Sequence, residues 1–154
     1  MYSFRIVQQK DLRALFGLGV KETQQGFVAP NAVSIAQAAY DPSATAFGIW
    51  DGDQAVGFLS ICDMAHPEAE FDEGDNSDGI YVWRLLVDKA RQGQNVGREA
   101  IAFAQSHARE LGRANLVLSA VDAPYGAVPF YEKLGFRRSG RMVHGEVELL
   151  LALT

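Results

Sequence analysis

The sequence predicts an α/β fold, one mixed β-sheet with helices on its faces, and three observations carry that prediction. Short alternating apolar runs recur along the chain, and segments of helical apolar spacing fall between them. Near the middle, a long strand passes through a polar, glycine-bearing loop straight into the central helix. In order the elements read βααβββαβαββ, and a mixed sheet covered by helices is the economical packing of that order. At 154 residues, this is one domain, 1–154, with no room for a second of ordinary size.

Ser3 to Val7 alternates as a strand. Asp11 to about Glu22 carries Leu12, Leu15, Phe16 and Leu18 at helical spacing. Pro30-Asn31 opens a second helix, with Asn31 as the expected N-cap and Val33, Ile35, Ala36 and Ala39 as its apolar face. Thr45 to Trp50 and Ala55 to Cys62 are strands joined through Asp51-Gly52, a hairpin signal. Asp63 to Gly79 is an acidic loop, and Gly79 to Asp88 a longer strand. The central helix is predicted from Gly97 to Leu111, with Ile101, Ala104, Ala108 and Leu111 on one face and Gly112 closing it. Asn115 to Val121 is a strand, Pro124 to Leu134 a short helix, and Arg137 to Met142 and Gly145 to Leu151 the closing strands.

Composition removes several classes of function. Hydrophobic residues are 48% and charged residues 21%, which excludes a disordered or fibrous chain. The lone Cys62 excludes an intrachain disulfide and a multi-cysteine zinc site, and at the end of an apolar strand it reads as a buried small hydrophobe. His66, His107 and His144 are far apart and lack HExxH spacing, so no metal site is expected. Neither a signal peptide nor an apolar run of membrane-spanning length is read, so a soluble protein of a reducing compartment, the cytoplasm, is expected, with no membrane partner.

Net charge of −5 conceals a division along the chain. From Glu22 to Trp83 there is no Lys or Arg, whereas Glu22, Asp41, Asp51, Asp53, Asp63, Glu68, Glu70, Asp72, Glu73, Asp75 and Asp78 all fall there. From Arg84 onward ten basic residues stand against seven acidic ones. An acidic half repels nucleic acid and attracts cations, and the basic half suits a phosphorylated ligand. A solvated acidic face is the plain alternative for Glu68 to Asp78.

The informative chemistry lies at Val87-Asp88-Lys89-Ala90-Arg91-Gln92-Gly93-Gln94-Asn95-Val96-Gly97-Arg98. A strand, a glycine-bearing loop and a helix start leave several backbone N–H groups unpaired at the positive end of a helix dipole, an anion site for phosphate or pyrophosphate. The loop is neither GxxxxGK[ST] nor GxGxxG. Arg91 and Arg98 flank it and strengthen the anion reading.

Gln92-Gly93-Gln94-Asn95-Val96-Gly97 resembles the [RQ]-x-x-G-x-[GA] pyrophosphate loop of the GNAT superfamily of N-acetyltransferases, preceded by a strand Leu85-Leu86-Val87 like that family's fourth. Phe130-Tyr131-Glu132-Lys133-Leu134-Gly135-Phe136 resembles the family's late helix and following turn. More narrowly, residues 24–36, 81–88 and 145–151 are similar to bacterial diamine and spermine/spermidine acetyltransferases. Asn95 stands where glycine is usual, and asparagine tolerates positive φ. Pro124 replaces a cofactor-contacting asparagine, and Trp83 stands where some relatives carry a glutamate base, so no residue inherits that role.

The resemblance implies the GNAT fold with splayed central strands and acetyl-CoA as co-substrate. The pyrophosphate would rest on Gln92, Gly93, Gln94, Asn95, Val96, Gly97 and Arg98, and the pantetheine arm on the backbone at Leu85, Leu86 and Val87. A neutral amine would attack the thioester directly while strand amides stabilise the developing oxyanion. Tyr131, matching the family's tyrosine, would protonate the departing thiolate. A small polycationic amine is the expected acceptor, held by Glu22, Asp72 and Glu73. An aminoglycoside, amino acid or protein N-terminus is the alternative, as is a CoA-binding regulatory module. A homodimer is compatible with the resemblance.

Overall fold

The computed structural model describes residues 1–153. Seven strands form one sheet in the order β1-β2-β3-β4-β5-β7-β6: β1 (Ser3–Ile6), β2 (Ala44–Asp51), β3 (Gln54–Asp63), β4 (Gly79–Val87), β5 (Asn115–Ala120), β6 (Arg137–Val143) and β7 (Glu146–Ala152). The helices are α1 (Leu12–Phe16), α2 (Asn31–Ala39), α3 (Val96–Glu110) and α4 (Val128–Lys133). All neighbouring strands are antiparallel except β4 and β5.

The principal core lies between the sheet and α3. Val96, Ala100, Ile101, Ala104 and Ala108 bury against Leu59, Ile80, Leu116 and Leu118. Small alanines on the helix let it approach the branched side chains of the strands closely. Leu111, expected on this face, lies just past the helix end and is exposed. Gly112 there takes φ +70°, the left-handed closure its position predicts.

Two helices differ from expectation more substantially. The first helical pattern, Asp11 to Glu22, forms α1 only as far as Phe16, because Gly17 and Gly19 offer no side chain to pack and the chain turns away. Asn31 is the first helical residue of α2 rather than its cap, which is Pro30. Its side-chain amide instead donates to the carbonyl of Leu15 at 2.9 Å, tying α2 to the end of α1. The buried residues of α2 are Asn31, Ser34 and Ala38, while Val33, Ala36 and Ala39 of the expected apolar face are exposed. Tertiary hydrogen bonding at Asn31 overrides the apolar periodicity here.

The last helix starts at Val128, not Pro124. Tyr125 takes φ +66°, which a right-handed helix cannot contain. Gly126 follows because a Cβ there would lie 2.5 Å from the carbonyl oxygen of Val121.

The feature that creates the site is the seam between β4 and β5. These parallel strands pair only at Gly79, Ile80 and Tyr81 with Asn115, Leu116 and Val117. Beyond Tyr81 they part. Opposite the parting, the β3–β4 register skips Trp83, since Ser60 pairs with Arg84 and Ile61 with Val82. One extra residue on β4 increases local twist and swings the strand away from β5.

Candidate active site

Asp88 donates its amide to the carbonyl of Val56 on β3 at 2.9 Å. By strand alternation Leu86 also addresses β3, while Leu85 and Val87 turn their backbone groups into the open seam. Val87 presents its carbonyl there, where Gln92 Nε2 reaches it at 3.3 Å. Leu86 is buried and lies outside the cleft lining, so of the three strand residues expected at the pantetheine arm only Leu85 and Val87 face the seam.

At the end of β4, Asp88 caps a short turn by accepting from Ala90, and the chain enters α3 through two left-handed residues, Gly93 (φ +79°) and Asn95 (φ +67°). Asparagine therefore makes the turn usual for glycine. From Gly93 to Arg98 no amide donates to another backbone group, and that of Glu99 is the first to do so, on Asn95 O at 3.0 Å. Tyr2 braces the loop from β1: its hydroxyl donates to Gln94 O at 2.7 Å and its amide to Glu99 Oε1 at 3.2 Å. Gln92 donates to Gln24 Oε1 at 2.8 Å, joining the loop to the segment before α2. Gly97 is an ordinary helical residue, and its smallness is needed because a Cβ would lie 3.1 Å from the Phe130 ring. Arg91 bonds Asp51 and Gln54, both at 2.7 Å, so its guanidinium is committed to the β2–β3 hairpin, while Arg98 is exposed on the cleft.

Three cavities with shared lining residues lie along and beside the seam. The first, about 490 Å³, is lined by Leu85, Val87, Gly93, Gly97, Phe130 and Tyr131, among others, and holds the amide cradle. The second, about 540 Å³, lies where the strands part and includes Phe27, Trp83, Arg84, Ser119, Tyr131 and Glu146. Tyr131 borders both. The third, about 240 Å³, shares Tyr81, Trp83, Val143 and His144 with the second and carries the carboxylates of Asp41, Glu70, Asp72, Asp75 and Glu148.

Tyr131 is buried, edge-on to Phe130 and Phe136. Burial alone raises its phenol above the ordinary tyrosine value, so the hydroxyl keeps its proton through the neutral range. Tyr81 is raised too: burial comes first, and the nearby Glu146 and Asp75 charges add to it, while the Ser119 hydrogen bond and Arg84 act the other way.

The acidic segment is only partly an open negative surface. Arg141 Nη1 contacts Asp75 at 2.7 Å and Glu148 at 3.0 Å, and its Nη2 donates to the carbonyl of Glu73 at 3.2 Å. Asp63 is held by Arg113 at 2.7 and 2.9 Å. Of the three acids expected at the acceptor, Asp72 reaches the third cavity, Glu73 is exposed and contributes a carbonyl to Arg141, and Glu22 is exposed in a turn, Glu22–Gln24. Neither Glu22 nor Glu73 lines these cavities. The carboxylates beside Asp72 come from the α2–β2 connection, the acidic loop and β7, a grouping no spacing in the sequence signals.

Remaining candidates resolve by position. Trp50 and Phe58 are core, whereas Trp83 lines the cleft. Cys62 is buried, and burial, aided by Asp41, pushes its thiol up to about 12. His107 packs on Phe47 and Phe103, and His66 accepts from the Glu68 amide. No described helix is long and apolar enough to cross a membrane.

An opened parallel seam, an unpaired amide cradle beside it and a protonated tyrosine bordering two neighbouring cavities suit a transferase for a phosphate-bearing acyl donor. The family model described as Acetyltransferase (GNAT) family matches residues 5–136, and the chain belongs to that family. It is an acetyl-CoA-dependent N-acetyltransferase. Spermine/spermidine N(1)-acetyltransferase of Bacillus subtilis (strain 168) is 21% identical over 141 residues, 91% of this chain and 90% of that protein. N-acetyltransferase family 8 member 2 of Rattus norvegicus is 22% identical over 103 residues, 67% of this chain; this chain spans less than half, 43%, of its length. Among solved structures, the GNAT domain of S. lividans PAT aligns with TM-score 0.76 at 16% identity, covering 97% of this chain and 89% of that one. The PaiA N-acetyltransferase of Thermoplasma acidophilum, in complex with coenzyme A, aligns with TM-score 0.69 at 12% identity over 99% of each chain.

Proposed function

We propose that the protein transfers the acetyl group of acetyl-CoA to a primary amine of a small polycation such as a diamine, spermidine or spermine. The observation that carries this reading is the third cavity, which shares Tyr81, Trp83, Val143 and His144 with the second and is lined by five acidic residues. Arg141 bridges Asp75 and Glu148 and cancels one of their two charges, which leaves a net negative cluster, with Asp41, Glu70 and Asp72 beside it, for distal ammonium groups. Trp83, shared by the second and third cavities, offers an apolar wall to the methylene chain between the amines. The similarity to a spermine/spermidine acetyltransferase points the same way.

In this reading the amides from Gly93 to Arg98 hold the pyrophosphate of acetyl-CoA, and Leu85 and Val87 present backbone groups to its pantetheine arm. The co-substrate supplies a thioester carbonyl open to attack by a neutral amine. Tyr131 borders both the donor and acceptor cavities, and its protonated hydroxyl gives a proton to the leaving sulfur. The fold's seam supplies alignment, which turns a bimolecular attack into an effectively unimolecular one.

Arg84 favours a second acceptor class. It lines the acceptor cavity, stacks over Trp83 at 5.6 Å, and has a buried Nε with no partner, so an amine that also carries a carboxylate, such as an amino acid or a peptide N-terminus, would find a counter-charge there.

Turnover of acetyl-CoA with spermidine, spermine, a diamine, an aminoglycoside, a free amino acid and a peptide decides between them. Polyamine turnover with kcat/KM falling as salt rises supports the first reading, because attraction between exposed charges is screened over about 8 Å at physiological ionic strength. Turnover confined to amino acids or peptides, lost in Arg84→Met, replaces it with the second.

A further inference from the structure

The acceptor must shed a proton before it attacks, and β4, Gly79–Val87, has no carboxylate to take it. A carboxylate nevertheless faces the crossing of the strands, from β7. Glu146 lines the acceptor cavity together with Ser119 of β5 and Tyr81 of β4. The Tyr81 hydroxyl lies 2.8 Å from Ser119 Oγ, and Ser119 Oγ lies 3.4 Å from Glu146 Oε1. Three adjacent strands thus contribute one chain of hydrogen-bonding groups.

We infer that Glu146 is the proton acceptor of the transfer, taking the proton of the acceptor ammonium through the hydroxyl of Ser119, with Tyr81 positioning that hydroxyl. This rests on the N-acetyltransferase reading, not on the acceptor being a polyamine.

The donor and acceptor capacities balance. Tyr81 donates to Ser119 Oγ, and Ser119 donates its own hydrogen to Glu146, which leaves one lone pair on Ser119 Oγ for an N–H of the substrate. When the ammonium gives its proton to Ser119 Oγ, the hydrogen of Ser119 passes to Glu146, and the amine is neutral. The nitrogen–carbon bond then forms and the carbon–sulfur bond breaks. The nitrogen sheds two protons in all: one replaces the proton that Tyr131 gives to sulfur, and the other leaves on Glu146 and returns to solvent.

Arg84 of β4 and His144 of the β6–β7 turn line the same cavity. Among the acids, Glu148, two residues along β7, is already paired with Arg141, as is Asp75 of the acidic loop. Glu146 has no ion-pair partner of its own among the described residues, so its charge is available to a proton.

The test compares acceptors rather than a single rate. Two primary amines of similar size are used, one whose ammonium pKa is near 10 and one near 6, the second being largely free base at pH 7.5. In Glu146→Gln, kcat for the strongly basic amine should fall by about 10²-fold, within the range of general base catalysis, and recover as pH rises toward 10. The weakly basic amine should lose less than about fivefold, because it arrives without the proton. Glu146→Asp should restore part of the loss, Ser119→Ala should reproduce the pattern of Glu146→Gln, and acetyl-CoA affinity by calorimetry should stay at the wild-type value in each. Equal losses for both amines, or no loss for either, overturn the assignment of Glu146 while leaving the acetyltransferase reading intact. Absence of turnover by the wild-type protein with every amine overturns both.

Discussion

The amide cradle, proposed to hold the donor, and the acidic pocket, proposed to hold the acceptor, are built on opposite plans. Residues 93–98 would work through their backbone: six consecutive amides have no backbone acceptor, where Gly93 and Asn95 turn left-handed and α3 begins directly after. The acidic pocket works through side chains brought from the α2–β2 connection, the long loop and β7, and part of its charge is spent on Arg141. A backbone site is written in a short stretch of sequence. A side-chain site exists only once the sheet has formed, which makes it the easier of the two to retune for a different acceptor.

If that contrast holds, the largest effect belongs to the one side chain on which both plans converge. Tyr131→Phe should preserve the fold and acetyl-CoA affinity while lowering kcat by about 10² to 10⁴, the usual value of general acid catalysis. Burial holds the Tyr131 phenol above its ordinary value, so in the wild type no loss of kcat due to its ionisation should appear below about pH 10. Unchanged turnover by the Phe variant would make the tyrosine a packing residue only, as its contacts with Phe130 and Phe136 would allow.

Next come the two glycines of the cradle, whose reasons differ. A valine at Gly93 must either adopt φ near +79° or rearrange the loop, a strain of about 1–2 kcal/mol. That strain corresponds to roughly 5–30-fold in CoA affinity when it is relieved by moving the amides. Gly97→Val has no such strain and acts by pushing Phe130, so Phe130→Ala should partly rescue it and should not rescue Gly93→Val. Calorimetric titration of CoA into the four proteins separates the mechanisms. Identical behaviour of the two valine variants would mean that the cradle is not a matter of local backbone.

Acceptor-side changes should be smaller and confined to KM. Asp72→Asn removes a carboxylate with no arginine partner among the described residues, and KM for spermidine should rise by about fivefold, the worth of one screened exposed charge, with kcat little changed. A monoamine should be nearly indifferent. A matching rise for both would make the segment a solvated face.

The same contrast explains what could be read from the sequence. Seven strands in their correct places, the seam and the cradle all follow from local alternation, from the strand–loop–helix unit at Leu85 to Arg98 and from its likeness to a known loop. What misled were the places where one distant contact outweighs local pattern. Asn31 looked like a cap, but its side chain serves the carbonyl of Leu15, and this turns the α2 face over. Pro124 looked like a helix start, but Tyr125 goes left-handed and Gly126 must clear the carbonyl of Val121. Arg91 looked like a phosphate ligand, but it is tied to the hairpin through Asp51 and Gln54. Glu146 and Glu148 lie in the segment 145–151 that resembles polyamine acetyltransferases, but nothing assigned either a place in the site until β7 lay beside β5.

The smallest effect expected is on stability, at the hinge of the acidic loop. Arg113 of the connection after α3 grips Asp63 with two bonds, of 2.7 and 2.9 Å, and fixes where the loop leaves β3. The Arg113 hydrogen bond, opposed in part by burial and aided by the amide of Ala65, holds the Asp63 carboxyl below its ordinary range. A carboxylate whose folded pKa is depressed stabilises the fold above its unfolded value, about 3.9, and loses that contribution as pH falls through the lower folded value. Both side chains keep about a fifth of their surface in solvent, at 24% and 18% exposure, so the pair is screened and contributes about 1 kcal/mol or less. Asp63→Asn should therefore lower Tm by about 2–4 °C at pH 7, and the gap between the two proteins should close progressively below about pH 4. A gap that persists undiminished at pH 2 would show that the Asp63 charge is not what the substitution removes from the stability.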